Sequence, residues 1–208
     1  MKSKLLYIEA SPLKGRSHSS SVAEAFLDAY LASHPDDEIV RTDLWRAELP
    51  AFDAETIDAK FAVLRKQRFT PEQWDRWDAV RSVSRFFNAA DKYLFSVPMW
   101  NFGVPYRLKH FIDIVTLPGE NWIWSKAQGY EPLLSGKKAL LIYSSANDYG
   151  GASNESDFQK PHLRRWLNFI GVQDLREITI APTLADAETV AKKRDSAIEQ
   201  ALSIARSF

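Results

Sequence analysis

A serine-rich loop near the N-terminus, residues 11–21, carries the residue types that bind a phosphate. It follows the apolar run over residues 5–10 and precedes a helical pattern. Backbone N–H groups at a helix start are unpaired and lie at the positive end of the helix dipole, and serine hydroxyls add donors. We predict a phosphate site in this phosphate loop, although the serines alone also fit a solvated loop with a helix cap. The candidate ligands are Ser11, Ser17, His18 through its backbone and Ser19, with Lys14 and Arg16 as assisting cations.

A second loop, which we call the ring loop, combines aromatic rings with a side-chain amide. It follows the apolar run over residues 92–97 and reads Pro98-Met99-Trp100-Asn101-Phe102. In an open α/β sheet, ligands bind at the C-terminal ends of the strands, where this loop would lie. Its aromatic residues also fit a core position, but the amide between them can donate to and accept from the polar edge of a flat ring. A phosphate loop and a ring loop together indicate a mononucleotide, and flavin mononucleotide (FMN) fits best.

The two loops require a scaffold that brings strand ends together. Five strand-like apolar runs alternate with longer helical patterns, which predicts a parallel sheet covered by helices on both faces. The runs are residues 5–10, 38–42, 92–97, 139–144 and 176–180. Since no repeat, low-complexity tract or linker interrupts this pattern, we predict a single domain over residues 1–208.

Local signals predict where several helices begin and end. The first helix should begin between Ser17 and Ser21, with Ser21 and Glu24 as a capping box. Later helices carry proline and threonine start signals and a glycine stop signal. The start signals are the capping box Thr70-Pro71-Glu72-Gln73 and an opening Pro105, and the stop signal is Gly171. A last helix is predicted over residues 186–205, with Leu202 on its inward face.

Two connections, residues 44–68 and 117–136, are longer than usual for a compact domain. The second contains Trp122-Ile123-Trp124 between two glycines. Long structured connections at the C-terminal end of a sheet often form binding walls. Trp122 and Trp124 are therefore candidates for binding a substrate, with a structural hairpin core as the equally weighted alternative.

Composition excludes several classes of function. The 208 residues include 27 basic and 27 acidic side chains and no cysteine. This balance offers no electrostatic footprint for nucleic acid or an anionic membrane. The lack of cysteine excludes disulfides, thiolate catalysis and cysteine-held metals. The four histidines show no metal-ligand spacing, so we expect no metal site. Neither a signal segment nor a membrane-spanning run is present, so we expect a cytoplasmic protein.

Three motifs of this chain resemble those of one enzyme family. Ser11 is followed by Ser17-x-Ser19, and the ring loop is followed by Leu108-Lys109-x-x-x-Asp113. A third loop, residues 144–149, reads Ser145-Ala146-Asn147 where the family usually carries Arg-Gly-Gly. With these motifs in this order and spacing, the chain resembles the FMN-dependent NADH:quinone oxidoreductase and azoreductase family of flavodoxin-like proteins over nearly its whole length.

The resemblance implies a flavodoxin-like, three-layer α/β/α fold whose five-stranded parallel sheet has the order 2-1-3-4-5 and holds FMN tightly but non-covalently. It also implies a two-electron, ping-pong reaction, in which NADH or NADPH passes a hydride to the flavin N5 and a quinone or azo compound then accepts the electrons. No catalytic side chain is assigned, because the chemistry lies on the flavin. The third loop adds Ser144, Ser145, Ala146, Asn147 and Tyr149 to the FMN ligands.

The resemblance further implies a homodimer with its sites near the subunit interface, where Trp122 and Trp124 would wall the substrate. Two other functions stay open at this point. A flavodoxin-type electron carrier generally needs a charged docking surface, which a net charge of zero does not offer. A flavin-binding regulator without turnover is the other alternative. Steady-state oxidation of NADH with a quinone would separate the enzyme from both.

Overall fold

The structure is a computed structural model that describes residues 2–150 and 155–208. Five parallel strands form the central sheet in the order β2-β1-β3-β6-β7, and two further strands form an antiparallel hairpin. The strands are β1 Lys4–Glu9, β2 Glu38–Asp43, β3 Lys92–Pro98, β4 Trp122–Ser125, β5 Gly129–Pro132, β6 Lys138–Ser144 and β7 Asp174–Ile180. The helices are α1 His18–Ser33, α2 Ala54–Leu64, α3 Pro71–Asn88, α4 Tyr106–Val115, α5 Gln159–Ile170 and α6 Ala187–Ala205. Counted without the hairpin, the sheet has the predicted order 2-1-3-4-5, so the predicted fold is confirmed.

Helices cover both faces of the sheet and create an apolar core on each face. Side chains alternate along β1, so Leu6 and Ile8 enter one core and Leu5 and Tyr7 enter the other. The first core includes α4 and α5, and the second includes α1 and α6. Burial on both faces explains why the strands read as nearly continuous apolar runs. The parallel arrangement places the loops after β1, β3 and β6 along one edge of the sheet.

The start of α1 differs from the prediction in its cap. The helix begins at His18, and the Ser17 side chain caps it by accepting from the Ser20 amide (3.4 Å). The predicted capping box of Ser21 and Glu24 is wrong. Glu24 instead pairs with Arg41 of β2 at 2.5 Å, because tertiary contact brings a guanidinium within its reach.

Other helix signals are largely confirmed. The capping box at the start of α3 is present, and Gly171 ends α5 with a φ of 103°. Pro105 is the N-cap of α4 and not its first residue, which is Tyr106. Leu202 is 37% exposed, so its predicted inward position is wrong, because α6 packs through its alanines. Among the described residues, no helix combines the length and apolar character needed to cross a bilayer.

Both long connections contain regular structure. Residues 117–136 hold the β4–β5 hairpin, and residues 44–68 hold α2, which was not predicted. The pattern of α2 is inverted, because small or polar residues pack inward while its large apolar residues face outward. The inward residues are Thr56, Ala59 and Ala62, and the outward ones are Ile57, Phe61 and Leu64.

An ion-pair network holds the amino-terminal edge of the sheet. Lys92 Nζ donates to the Tyr30 hydroxyl (2.6 Å), to the Asp37 carboxylate (3.2 Å) and to the Phe208 carbonyl (2.9 Å). Burial by itself would raise the pKa of Asp37, but the hydrogen bonds it accepts from Tyr30 and its other donors outweigh burial and lower this pKa from 3.8 to about 2. Ionised Asp37 therefore stabilises the fold.

Candidate cofactor-binding site

A cavity of about 410 Å³ lies at the C-terminal edge of the sheet, where the phosphate loop, the ring loop and the third loop meet. We call it the cofactor cavity. The structure thus brings together three segments that are far apart in the sequence, as predicted. The residues that line it are Ser11, Pro12, Leu13, Arg16, Ser17, His18, Pro98, Met99, Trp100, Ser144, Ser145, Ala146 and Thr183.

The phosphate loop presents hydrogen-bond donors to one end of this cavity. The backbone amides of His18 and Ser19 have no acceptor within the described ranges, as expected for the first turn of a helix. Ser11 Oγ accepts from the Leu13 amide (3.3 Å), which leaves its hydroxyl hydrogen free to donate. Ser19 is fully buried and its Oγ lies 3.2 Å from Ser17 Oγ, so it supports Ser17 from behind. The arrangement suits an anion.

The two cations of this loop have different surroundings. Lys14 pairs with Asp43 and with Glu9 (3.3 Å), so the prediction that it assists a phosphate is wrong. Two carboxylates already neutralise its charge. Arg16 lines the cofactor cavity, as the predicted assisting cation should.

A neutral hydrogen-bonded chain lies beneath the phosphate loop. Ser96 Oγ lies 3.0 Å from the Tyr7 hydroxyl and 3.4 Å from Ser20 Oγ, and all three side chains are buried. Burial raises the pKa of the Tyr7 phenol, and hydrogen bonding to Ser96 only partly offsets this rise. Tyr7 therefore stays uncharged at neutral pH and adds no negative charge below the anion site.

The ring loop ends in a tight turn with unusual backbone angles. Trp100 and Gly103 exchange two backbone hydrogen bonds, of 3.0 and 2.9 Å. The residues between them, Asn101 and Phe102, have φ values of 46° and 69°. Positive φ is unfavourable for a bulky residue, and such strain clusters at ligand sites. Phe102 is nevertheless 51% exposed, so burial of its ring in this chain does not explain the strain.

Backbone contacts join the ring loop to the third loop. The Met99 amide donates to the Ser144 carbonyl (2.7 Å), and Ser145 Oγ donates to the Asn147 carbonyl (2.8 Å). Thr183 then donates to the Ser145 carbonyl from its amide (2.9 Å) and its hydroxyl (3.1 Å). Sequence reasoning missed Thr183, although its position just beyond β7, at the same edge of the sheet, was an available signal.

Trp45 is a second residue that sequence reasoning missed. Its Nε1 donates to the Ala10 carbonyl (3.0 Å), at the start of the phosphate loop. Its ring centroid lies 5.5 Å from that of Trp100 and 5.3 Å from that of Tyr106. Trp45 therefore connects the phosphate loop to the ring loop from outside the cavity.

Several predicted residues lie at the rim of the cavity or beyond it. Asn101, Phe102 and Asn147 are exposed. Tyr149 lines a separate polar depression beside the Arg164–Glu177 ion pair, although its ring centroid is only 6.3 Å from that of Phe102. The structure thus places Tyr149 beside the ring loop.

The two tryptophans predicted to bind substrate lie apart from the cofactor cavity. Trp122 is 7% exposed and lines a second cavity of about 650 Å³ between α2, α4, α5 and the hairpin. Its ring packs on Tyr130 and Phe169, as in the hairpin-core alternative. Trp124 is 58% exposed. Among the described residues, neither tryptophan contributes to the lining of the cofactor cavity of its own chain.

The cofactor cavity fits FMN in its donor set. Unpaired helix amides and serine hydroxyls suit the phosphate, and the side chains of Met99 and Trp100 offer apolar surface for the ring. Within the described ranges, no group of three or more His, Asp or Glu residues could hold a metal ion. The donor set of the site is therefore suited to an organic phosphate.

Comparison with known proteins agrees with this geometry. A family model described as "Flavodoxin-like fold" matches residues 3–205. The FMN-dependent NADH:quinone oxidoreductase of Desulfotalea psychrophila is 40% identical over 98% of this chain and 97% of its own. FMN-dependent NADH:quinone oxidoreductase 9 of Burkholderia lata is 41% identical over 99% of both chains.

The fold is also that of a solved structure. The azoreductase from Bacillus anthracis superposes with a TM-score of 0.91 over 100% of both chains, at 24% identity. A sequence identity of 24% supports likeness of fold alone, whereas the two oxidoreductases above match this chain in sequence over nearly their whole length. This chain therefore belongs to the FMN-dependent NADH:quinone oxidoreductase family of flavodoxin-like proteins.

Proposed function

We propose that this chain, folded as a single domain over residues 1–208, binds FMN and transfers two electrons from NADH or NADPH to quinones and, as the family resemblance implies, to azo compounds. One observation carries the proposal: a serine-lined helix start and an aromatic, strained loop converge on a single cavity at the C-terminal edge of a parallel sheet. The names of the two relatives, which specify FMN, NADH and a quinone, support it.

The phosphate loop would hold the FMN phosphate by directed hydrogen bonds. Ser11 and Ser17 offer hydroxyl donors, and His18 and Ser19 offer backbone amides. Hydrogen bonds to a charged group contribute about 1.5–3 kcal/mol each. Several such bonds, together with the Arg16 charge, account for non-covalent but tight binding.

The ring loop and the third loop would hold the other end of FMN. Met99 and Trp100 present apolar surface, while Asn101 and the third loop provide polar groups near it. Bound FMN supplies the redox chemistry, because its ring accepts two electrons from a reduced nicotinamide and passes them to an acceptor. The protein orients the ring, and no acid or base side chain is assigned a catalytic role.

The nicotinamide coenzyme would be a transient substrate. The chain has no Gly-x-Gly-x-x-Gly segment, the motif with which proteins hold a dinucleotide permanently. NADH or NADPH would therefore bind over the exposed face of the FMN ring and leave before the acceptor binds.

Purification followed by kinetics tests the proposal. We expect a yellow protein that releases FMN on denaturation, identified by mass spectrometry, and NADH oxidation that depends on an added benzoquinone. Parallel assays with NADPH decide the coenzyme preference. FMN binding without NADH:quinone turnover would favour an electron carrier or a regulator. Absence of FMN binding would contradict the proposal altogether.

We further propose that the protein forms a two-fold homodimer through the face that carries the second cavity. Its lining includes the exposed side chains of Tyr130 and Leu64, and exposed apolar surface of this kind marks interfaces. Trp124 would then act at the partner's substrate site. The cytoplasmic location stays a prediction.

A further inference from the structure

The start of α5, with its N-cap residue Phe158, contacts the ring loop at one point and the strand residue before the loop at another. The Phe158 amide donates to the Phe102 carbonyl (2.9 Å), at the tip of the loop. Gln159 Nε2 donates to the Val97 carbonyl (3.0 Å), immediately before the loop begins. Asp157 fixes this turn, because its carboxylate accepts from the Gln159 amide (2.9 Å). One helix start therefore holds the ring loop from behind.

Gln159 buries a polar side chain at an energetic cost. The residue is 1% exposed, and its Oε1 has no hydrogen-bond partner within residues 2–150 and 155–208. An unpaired buried acceptor destabilises a fold, whereas an apolar side chain of similar shape would avoid this cost. Gln159 Nε2 donates to the Val97 carbonyl, and only a polar side chain can make this contact.

Val97, whose carbonyl Gln159 binds, leads directly into the ring loop, and the tip of that loop is strained. Asn101 and Phe102 adopt positive φ, a conformation that persists only where the surroundings determine it strongly. The Trp100 and Gly103 hydrogen bonds close the turn, and the Met99 amide ties the base of the loop to the Ser144 carbonyl of β6. The bonds from Phe158 and Gln159 add two contacts from the helix side, one at the tip of the loop and one at the strand residue before it. Gln159 is not one of the described residues that line the cofactor cavity, so it acts through the backbone of Val97.

We infer that Gln159 is a positioning residue for the FMN ring, and that its unpaired oxygen is tolerated because its amide nitrogen orients the ring loop. The inference rests on the proposed function, since it assigns the ring loop to FMN. It predicts that loss of the Gln159 amide weakens FMN binding without lowering the stability of the apoprotein. A side chain that only supports the fold would show the opposite pattern.

The variant Gln159→Met tests this directly, because methionine has a similar length and removes both polar atoms. FMN is titrated into the apoprotein and its fluorescence gives the Kd, while thermal unfolding of the apoprotein gives the midpoint. We expect the Kd to rise about three- to tenfold, the equivalent of one net hydrogen bond, and the midpoint to stay unchanged or to rise. Gln159→Asn keeps the amide but is too short to reach Val97, so it should show the same weakening and decides the matter if the methionine variant does not fold.

Ser84→Ala is the matched control. Ser84 is also fully buried, and its Oγ donates to the Val115 carbonyl (2.7 Å), away from the cofactor cavity. This control should lower the unfolding midpoint and leave the FMN Kd unchanged. The inference is overturned if Gln159→Met leaves the Kd unchanged, or if it lowers the midpoint as Ser84→Ala does. Failure of the wild-type protein to bind FMN would instead remove the proposed function.

Discussion

A negative charge at Ser17 is the most direct test of the phosphate site. Ser17 is 4% exposed, lines the cofactor cavity and caps α1 through its side-chain oxygen. Aspartate is an equally good N-cap residue, so Ser17→Asp preserves the helix start. The new carboxylate would nevertheless face the FMN phosphate in the place of a hydroxyl donor.

Two effects set the magnitude of this change. The lost hydrogen bond to a charged group is worth about 1.5–3 kcal/mol. Repulsion between two unit charges about 4 Å apart adds about 4 kcal/mol at an effective dielectric constant of about 20. Because the side chain is buried, it cannot turn into solvent to escape this repulsion. Together, even at the lower end of about 5.5 kcal/mol, the two effects raise the FMN Kd about ten-thousandfold, since about 1.4 kcal/mol corresponds to a factor of ten.

The assay is FMN titration of the apoprotein, with circular dichroism and thermal unfolding to confirm the fold. Thr70→Asp provides the control, because Thr70 caps α3 in the same way but is exposed and lies outside the cofactor cavity. It should leave the Kd unchanged. A Ser17→Asp protein that is folded and binds FMN as the wild type does would refute the placement of the phosphate at the start of α1.

Three further predictions concern stability and assembly. The pKa of Asp37 is lowered from 3.8 to about 2, so its ionised form stabilises the folded state by about 2 kcal/mol. This stabilisation is present above about pH 4 and is lost as the pH falls towards 2. Urea unfolding of Asp37→Asn should therefore show a flatter pH dependence in that range, and an unchanged slope would contradict the network. Gly171→Ala should lower the free energy of unfolding by about 2 kcal/mol or more, because φ is 103° and the new Cβ would clash with the Leu134 carbonyl. Gly15→Ala is the control: it has open space around it and should change the free energy of unfolding by less than about 1 kcal/mol. Light scattering should show a dimer at micromolar concentration, and Trp124→Ala should raise the KM for the quinone several-fold with an unchanged FMN Kd; a monomer with unaltered kinetics would contradict both statements.

The sequence predicted the sheet well because its strands are buried on both faces. Such strands must be nearly all apolar, and the runs at residues 92–97 and 139–144 are therefore visible without any structure. The start of α3 and the end at Gly171 were equally predictable, because caps depend on residues a few positions apart. Helix α2 was missed because it buries alanine and threonine while exposing larger apolar residues, which reverses the usual pattern.

By itself, the sequence determined the five strands of the sheet, the two loops that indicate FMN and the family they resemble, because all of these depend on local composition and spacing. Only the tertiary structure decided which side chains meet. Lys14 is neutralised by Asp43, Thr183 supports the third loop, and Trp122 lines a second cavity, and none of these contacts could be read from neighbouring residues. Each joins segments that are distant in the sequence, so the partner of a charge or a hydrogen bond is known only once the chain has folded.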